Sequence, residues 1–154
     1  MPEQFSRLGR CVSIFGRLMK MYYDRNLAEF EIGWGQQFYI EYLYEHPGAT
    51  PQEMAERIRV DKATLTKTIK KLSAVGYLQV VGDRQDRRVK HLYLTEAAQP
   101  AARRIKAIHA AFYEDLCAGI PPEDLAVAER TLEQAIENIN RKVWHRMEDP
   151  HGTQ

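Results

Sequence analysis

Apolar residues recur every three or four positions along the first part of the chain. One stripe comprises Phe5, Leu8, Val12, Phe15, Met19 and Tyr22, and a second beside it comprises Cys11, Ile14, Leu18 and Met21. This period predicts a helix over residues 5–28. Together the stripes form an apolar face wider than a surface helix needs, which indicates burial against a partner.

Two shorter helices are predicted next from composition and capping signals. The aromatic-rich sequence QQFYIEYLYE follows a glycine-containing break and ends at the His-Pro-Gly sequence of residues 46–48. Thr50 then stands as an N-cap, with Pro51 and Glu53 at the first and third helical positions. We therefore predict a buried helix followed by a short helix that ends near Arg57.

The segment from Asp61 to Gly76 predicts a further helix, which Asp61 caps at its start and Gly76 closes. Its buried stripe comprises Leu65, Ile69 and Leu72. Its other face is polar and basic and comprises Lys62, Thr66, Lys67, Lys70 and Ser73, with Thr64 nearby. Two short helices joined by a tight turn in this way predict a helix-turn-helix.

A β-hairpin is predicted directly after the helix-turn-helix. Apolar residues dominate or alternate over residues 77–81 and 89–94, which predicts two strands. Between them, residues 82–88 have the sequence GDRQDRR, which is rich in turn formers and in charge. This order predicts a wing of two or three strands.

Two more helices complete the chain. We predict that Thr95 caps a helix that continues toward Cys117, and that Gly119 and the prolines after it stop the helix. The final helix is predicted over residues 123–147, and its apolar residues are Leu125, Ala128, Leu132, Ile136, Ile139, Val143 and Met147. Residues 148–154 are expected to form a frayed tail.

The element order predicts a mainly α fold of the α+β winged-helix type with six helices. It divides into N-terminal helices (1–46), a winged helix-turn-helix lobe (47–98) and C-terminal helices (99–154). The first and last helices carry apolar stripes that a chain of 154 residues cannot bury by itself. We therefore expect a homodimer that forms through the two ends of the chain.

The net charge of +1 conceals a strong asymmetry along the chain. Residues 57–106 contain 13 Lys and Arg against four acidic residues, a net charge of +9. The remaining nine basic and 17 acidic residues give a net charge of −8. A basic middle segment between acidic ends predicts that one lobe faces a polyanion.

Several classes of protein are disfavoured by what the sequence lacks. No apolar run approaches the length of a membrane span, and the first residues do not resemble a signal peptide, so we expect a cytoplasmic protein. Cys11 and Cys117 have no spacing typical of disulfides or zinc ligands. Phosphate-binding loops, dinucleotide fingerprints and nucleophile motifs are also missing, so we predict neither an enzyme nor a cofactor.

The basic lobe has the chemistry of a double-stranded DNA interface. A helix fits the major groove, where short polar side chains read base edges. The candidates on the capped helix are Lys62, Thr64, Thr66 and Lys67 for the groove and Lys70 and Lys71 for phosphate, while Arg57 and Arg59 flank the turn. A solvated basic face is the alternative, but the wing next to it repeats the same charge sign.

The wing supplies Arg84, Arg87, Arg88 and Lys90 on or beside a loop that can reach a narrow minor groove. Two aspartates interrupt these cations. We predict that Asp83 forms the turn and that Asp86 orients the Arg88 guanidinium, because a carboxylate can hold that group in a fixed direction. The alternative is that both aspartates simply form the turn, which Asp favours.

Residues 58–95 closely resemble the winged-helix segment of the MarR family of transcription regulators. The matching elements are the T-L-T of the capped helix, the K-L and G-Y-L at its end, and D-x-x-D-R-R followed by L-x-L-T in the wing. The sequence departs from the family at Gln79, where an arginine is common, and at Ala98, where a glycine is common. The resemblance implies a homodimer that binds a pseudo-palindromic operator, usually as a repressor, with Arg88 in the minor groove.

The family also implies that the chain responds to a signal. Many members bind small aromatic or phenolic anions between the two lobes, and the candidate lining here is Tyr22, Tyr23, Trp34, Phe38, Tyr39 and Tyr42. Such aromatic residues are also typical of a plain core.

Other family branches leave further alternatives. One branch senses hydroperoxides with a cysteine placed like Cys11, but Phe15 stands where that branch has a tyrosine, which favours a buried, unreactive thiol. Zinc-sensing branches exist too, yet His46, His109 and His145 lack metal-ligand spacing. A winged helix that binds DNA without a ligand, or binds an acidic protein, is the remaining alternative.

Overall fold

The structure is a computed structural model that describes residues 2–148, with side chains from residue 7 to residue 143. Within these residues, six α-helices and two strands follow in the order α1 (Pro2–Leu27), α2 (Gln37–Glu45), α3 (Pro51–Ile58), α4 (Lys62–Val75), β1 (Leu78–Gly82), β2 (Lys90–Leu94), α5 (Gln99–Cys117) and α6 (Pro122–Glu148). The predicted six-helix winged fold is confirmed. Of the predicted tail, Glu148 ends α6 and residues 149–154 lie outside the described residues, as do the side chains of Phe5, His145 and Met147.

The chain divides into two compact units, and the division falls between Ala110 and Ala111, inside α5. The first unit contains α1 to α4, the wing and most of α5. The second contains the end of α5 and all of α6.

The predicted caps define the helix-turn-helix. The Thr50 backbone N–H donates to Glu53 Oε2 at 2.7 Å, and the Glu53 N–H donates to Thr50 Oγ1 at 3.3 Å, which forms a complete capping box. Asp61 Oδ1 accepts a hydrogen bond from the Thr64 N–H at 2.8 Å. Gly76 ends α4 in the left-handed region at φ 88°, which a residue without a side chain adopts at least cost.

The core of the first unit lies where the helix-turn-helix meets α2, β2 and α5. Its fully buried side chains include Leu27, Ile40, Leu43, Met54, Leu72, Leu92 and Ile105. On α4, Leu65 and Leu72 are buried as predicted, while Ile69 is half-buried and Thr68 is buried beside them. The buried face of α4 is therefore rotated slightly from the predicted stripe.

The start of α5 differs from the prediction. Thr95 makes no side-chain cap bond, and a 3₁₀ turn over Glu96–Ala98 precedes α5, which begins at Gln99. The Thr95 hydroxyl instead donates to the Gly76 carbonyl oxygen at 2.5 Å. That bond ties the end of the wing to the end of α4 and fixes the direction of the hydroxyl, which accepts no cap bond from the turn that follows.

The wing is an antiparallel hairpin with Leu78 opposite Leu94 and Val80 opposite Leu92. A single bridge between Ala49 and Leu92 adds a minimal third strand, since the Leu92 N–H donates to the Ala49 carbonyl at 2.9 Å. The wing is thus joined by backbone hydrogen bonds to the connection between α2 and α3.

Two helices expose long apolar faces. On α1 the exposed apolar residues are Leu8, Val12, Ile14, Phe15, Leu18 and Met21, and on α6 they are Val127, Leu132, Ile136, Ile139 and Val143. No helix in the described part of the chain is long and apolar enough to cross a membrane. These two faces are what the sequence predicted as surfaces for a partner.

Candidate nucleic-acid interface

The outer face of α4 forms a shallow groove of side chains that a nucleic acid could contact. Its lining residues are Lys62, Ala63, Thr66, Lys67 and Lys70. The Thr66 hydroxyl donates to the Lys62 carbonyl at 2.8 Å, so it keeps only its acceptor lone pairs for a base edge. Four of the six predicted residues of this helix therefore share one exposed face.

Thr64, another predicted residue, is held by the N-cap. Its hydroxyl donates to Asp61 Oδ2 at 2.7 Å, while its backbone N–H donates to Asp61 Oδ1. These bonds hold the pKa of the Asp61 carboxyl below its usual range. Thr64 therefore fixes the start of α4, and its hydroxyl is less available for base contacts than the sequence suggested.

Two aspartates fold the wing turn. Asp83 Oδ1 accepts hydrogen bonds from the backbone N–H groups of Gln85 at 2.7 Å and Asp86 at 3.0 Å. These bonds come first among the causes that lower the pKa of Asp83. Asp83 is thus a turn former, as the sequence indicated.

The predicted role of Asp86 was wrong. Asp86 Oδ1 accepts a hydrogen bond from the Arg88 backbone N–H at 2.9 Å and does not pair with the Arg88 guanidinium. The side chain of an aspartate readily accepts a hydrogen bond from the backbone N–H two residues later, which closes a local turn. In this turn the Arg88 N–H lies closer to the Asp86 carboxylate than the guanidinium at the end of the Arg88 side chain does. Asp86 therefore shapes the backbone that presents Arg87 and Arg88.

The cations of the basic lobe are free to meet phosphate. Among the described residues, no ion pair is formed by Lys62, Lys67, Lys70, Arg84, Arg87, Arg88 or Lys90. All seven are exposed, and they lie on the outer face of α4 and on the neighbouring wing. Unneutralised charge on adjacent elements is what binding to a polyanion requires.

The inner face of α4 borders a cavity of about 460 Å³. Three of the six predicted pocket residues, Trp34, Phe38 and Tyr39, line it. Tyr42 lines a neighbouring depression with Phe38 instead.

The other two predicted residues, Tyr22 and Tyr23, do not line the cavity but pack behind its wall. The Tyr23 ring centroid lies 5.2 Å from that of Trp34 and 5.8 Å from that of Tyr22. The pocket prediction therefore separates into a cavity lining and an aromatic layer behind it.

Sequence reasoning missed the polar half of the cavity, which α4 supplies through Thr64, Lys67, Thr68 and Lys71. Their spacing of three and four residues marks one helix face, which was the available signal. The Tyr39 hydroxyl is buried in the same region, beside Thr68 but without a well-aligned hydrogen bond. Burial raises the pKa of this phenol, and the Thr68 hydroxyl partly opposes the effect.

Among the described residues, the histidines considered for metal binding and the cysteine considered for redox sensing lie in separate places. His109 contacts Tyr23 and Glu41, and the His46 ring stacks on Tyr42 with centroids 4.5 Å apart. No group of three or more His, Cys, Asp or Glu in the described part of the chain is arranged to hold a metal ion. Cys11 is exposed on α1, contrary to the expected burial, because nothing within the first unit covers that part of the helix.

Known proteins are similar to this chain in sequence and in fold. The model of the MarR family matches residues 38–89, which include α3, α4 and the wing turn. The transcriptional regulator AdcR of Streptococcus pneumoniae is 31% identical over 106 residues, which cover 67% of this chain and 73% of AdcR.

Two solved structures are similar over nearly the whole chain. A MarR protein from Peptoclostridium difficile has a TM-score of 0.83 and 26% identity, and 91% of each chain is covered. FabT of Streptococcus pneumoniae, solved in complex with DNA, has a TM-score of 0.72 and 25% identity, with 89% of this chain and 98% of FabT covered. The chain therefore belongs to the MarR family and is a DNA-binding transcriptional regulator rather than an enzyme.

Proposed function

We propose that the chain acts as a homodimer that binds a pseudo-palindromic operator and represses the adjacent genes. The observation that carries this proposal is the set of seven unpaired cations on the outer face of α4 and on the wing. In the proposed complex, α4 enters the major groove and Arg88 reaches the minor groove. FabT, a relative of the same fold, was solved with DNA, which supports this assignment.

The homodimer is supported by the exposed apolar faces of α1 and α6. Leu18 is 58% exposed and Met21 63% exposed on α1, and Ile139 is 63% exposed on α6. Contiguous apolar surface of this kind is typical of an interface. A twofold dimer would present two copies of α4, which is the symmetry that a pseudo-palindromic operator matches.

The direct test is a footprint of the protein on the promoter of its own gene, followed by titration at several salt concentrations. We expect protection of two half-sites about one helical turn apart, because each protomer supplies one recognition helix. We also expect a steep fall in affinity with salt and a strong preference over bulk DNA. Equal affinity for both DNAs would contradict a sequence-specific regulator and favour a non-specific basic module.

A second candidate function, response to a small aromatic anion, is favoured by the cavity behind α4. Its volume lies within the usual range for ligand pockets, and aromatic rings face two lysines across it. Lys67 lines both this cavity and the outer groove of α4. An anion in the cavity would draw the Lys67 ammonium away from DNA phosphate, and so weaken operator binding.

Salicylate is a suitable probe for this candidate. We expect salicylate to raise the thermal midpoint of the free protein and to weaken operator binding. Lys71, which the sequence suggested as a phosphate contact, lines the cavity and not the outer groove. Lys71→Gln should therefore abolish the response while operator binding remains. If salicylate changes neither quantity in the unmodified protein, the ligand assignment fails while DNA binding stands.

A further inference from the structure

His91 is the second residue of β2, and both of its ring nitrogens are directed at acceptors. Nδ1 is 2.8 Å from the Gly48 carbonyl oxygen, and Nε2 is 3.1 Å from Asp83 Oδ2. Gly48 belongs to the connection between α2 and α3, whereas Asp83 begins the wing turn. One side chain therefore connects the base of the helix-turn-helix to the turn that presents the arginines.

Only the charged form of His91 satisfies both contacts. A neutral imidazole carries one N–H and can donate to one acceptor, but the imidazolium donates from both nitrogens. The Gly48 carbonyl and then the Asp83 carboxylate raise the pKa of His91 above its usual value. The same contact contributes to the lowered pKa of Asp83.

The charges around His91 also favour the imidazolium. The negative charges of Asp83 in the wing turn and of Glu53 on α3 both raise the pKa of His91. His46, in the connection before Gly48, contributes to the lowered pKa of Glu53. Lys90 precedes His91 on β2 and points to the opposite face of the strand, and across the hairpin the paired residue is the uncharged Val81.

We propose that His91, as the imidazolium, is a positioning residue that holds the wing turn at a fixed distance from the helix-turn-helix and thereby sets the operator affinity. The inference rests on the proposed DNA-binding function, but His91 itself acts without touching DNA. Loss of the second proton releases either Asp83 or Gly48. The wing arginines then sample more orientations. Binding to DNA must order them, which lowers the operator affinity.

The sign of the pH dependence follows from the direction of the His91 pKa. A group whose pKa is raised in the folded wing contributes fully below its ordinary value near 6.5. That contribution is lost as the pH rises through the raised value. We therefore expect operator affinity to fall about threefold to tenfold across this range, because binding must then order the released wing arginines.

Operator affinity of the full chain, measured by fluorescence anisotropy from pH 5.5 to 8.5 at constant ionic strength, tests the proposal. His91→Gln should bind more weakly at low pH and show a flat profile, because glutamine does not titrate. Asp83→Asn keeps an acceptor for the turn but removes the charge, and should move the midpoint to lower pH. His46→Gln is the matched control and should keep the wild-type profile.

Two further measurements separate positioning from direct contact. His91→Gln should leave the salt dependence of binding unchanged, whereas Lys90→Gln should reduce it by about one phosphate contact. Nitrogen NMR of the free protein should show both His91 nitrogens protonated at pH 6.5, which needs no DNA and stays informative if operator binding fails. A singly protonated ring at that pH, or a wild-type profile in His91→Gln, would overturn the proposal.

Discussion

The Tyr23 hydroxyl lies 2.5 Å from His109 Nδ1, and this contact joins α1 to α5 within the first unit. Burial is the main reason that the pKa of Tyr23 rises to about 12, so the phenol keeps its proton and donates it to Nδ1. On the other side of the ring, Nε2 lies 2.6 Å from Glu41 Oε1. Three helices, α1, α2 and α5, are thus connected through one imidazole.

Tyr23→Phe should destabilise the protein by about 1–3 kcal/mol, because it leaves a part-buried imidazole nitrogen without its donor. Urea unfolding at a fixed protein concentration measures this change. Tyr44→Phe is the control, because Tyr44 lies on α2 and is 58% exposed. An equal effect from both substitutions would contradict a special role for the Tyr23–His109 contact.

Arg88→Ala should weaken operator binding severely while the proposed dimer stays intact. Arg88 is exposed, lies in the wing turn and forms no ion pair with a described residue. Removal of an arginine from a narrow minor groove costs about 1–3 kcal/mol, which corresponds to roughly fivefold to 150-fold in affinity. Gel-shift titration gives the affinity, and sedimentation confirms the dimer. Wild-type binding by this variant at moderate salt would refute the wing assignment.

Asp86→Ala and Asp86→Asn should differ. The alanine variant loses the bond to the Arg88 N–H, so we expect operator affinity to fall about fivefold to tenfold. Asparagine keeps an acceptor oxygen at the same place, and affinity should remain within about twofold of the wild type. If the asparagine variant is as weak as the alanine variant, the charge of Asp86 matters and the turn-forming role is insufficient.

Gly48→Ala should cost more stability than Gly76→Ala, although both glycines have positive φ, at 85° and 88°. A Cβ at Gly76 meets nothing within 4 Å, so only backbone strain of about 1–2 kcal/mol applies. A Cβ at Gly48 would lie 2.8 Å from the Tyr93 hydroxyl oxygen, which adds a clash of about 1 kcal/mol or more. In a Tyr93→Phe background this added cost should shrink. Thermal unfolding of the wild type, the three single variants and the Gly48→Ala/Tyr93→Phe double variant tests it.

Leu18→Glu should convert the proposed homodimer to a monomer. Leu18 is exposed in the middle of the apolar face of α1, and a carboxylate buried at an interface there would be unpaired. Val80→Glu is the control, since Val80 is also exposed and apolar but lies on the wing. Sedimentation equilibrium measures both variants, and a dimeric Leu18→Glu protein would show that α1 does not form the interface.

The elements that the sequence predicted correctly are specified by neighbouring residues. The capping box at Thr50, the N-cap at Asp61 and the C-cap at Gly76 each depend on contacts within a few positions, so their signals are complete in a short window. The hairpin register follows from alternation over the two strands that flank a turn. The resemblance to the MarR family rests on the same local patterns.

The errors concern side chains with more than one possible partner. Thr95 has the right residue type for a cap, but the Gly76 carbonyl comes within reach only when β1 and β2 pair. Asp86 could meet either the guanidinium or the N–H of Arg88, and only the path of the turn selects the N–H. The α4 side of the cavity was missed because the sequence does not show which face of α4 lies opposite Trp34 and Phe38.

The sequence by itself determined the six helices, the wing and the concentration of positive charge on one lobe, because periodicity, caps and composition are local properties. Only the tertiary structure decided that Lys67 borders both a cavity and the outer groove, and that His91 lies between Gly48 and Asp83. Gly48 and His91 are 43 positions apart along the chain. Their meeting depends on how β2 packs against the connection before α3, which no short stretch of sequence encodes.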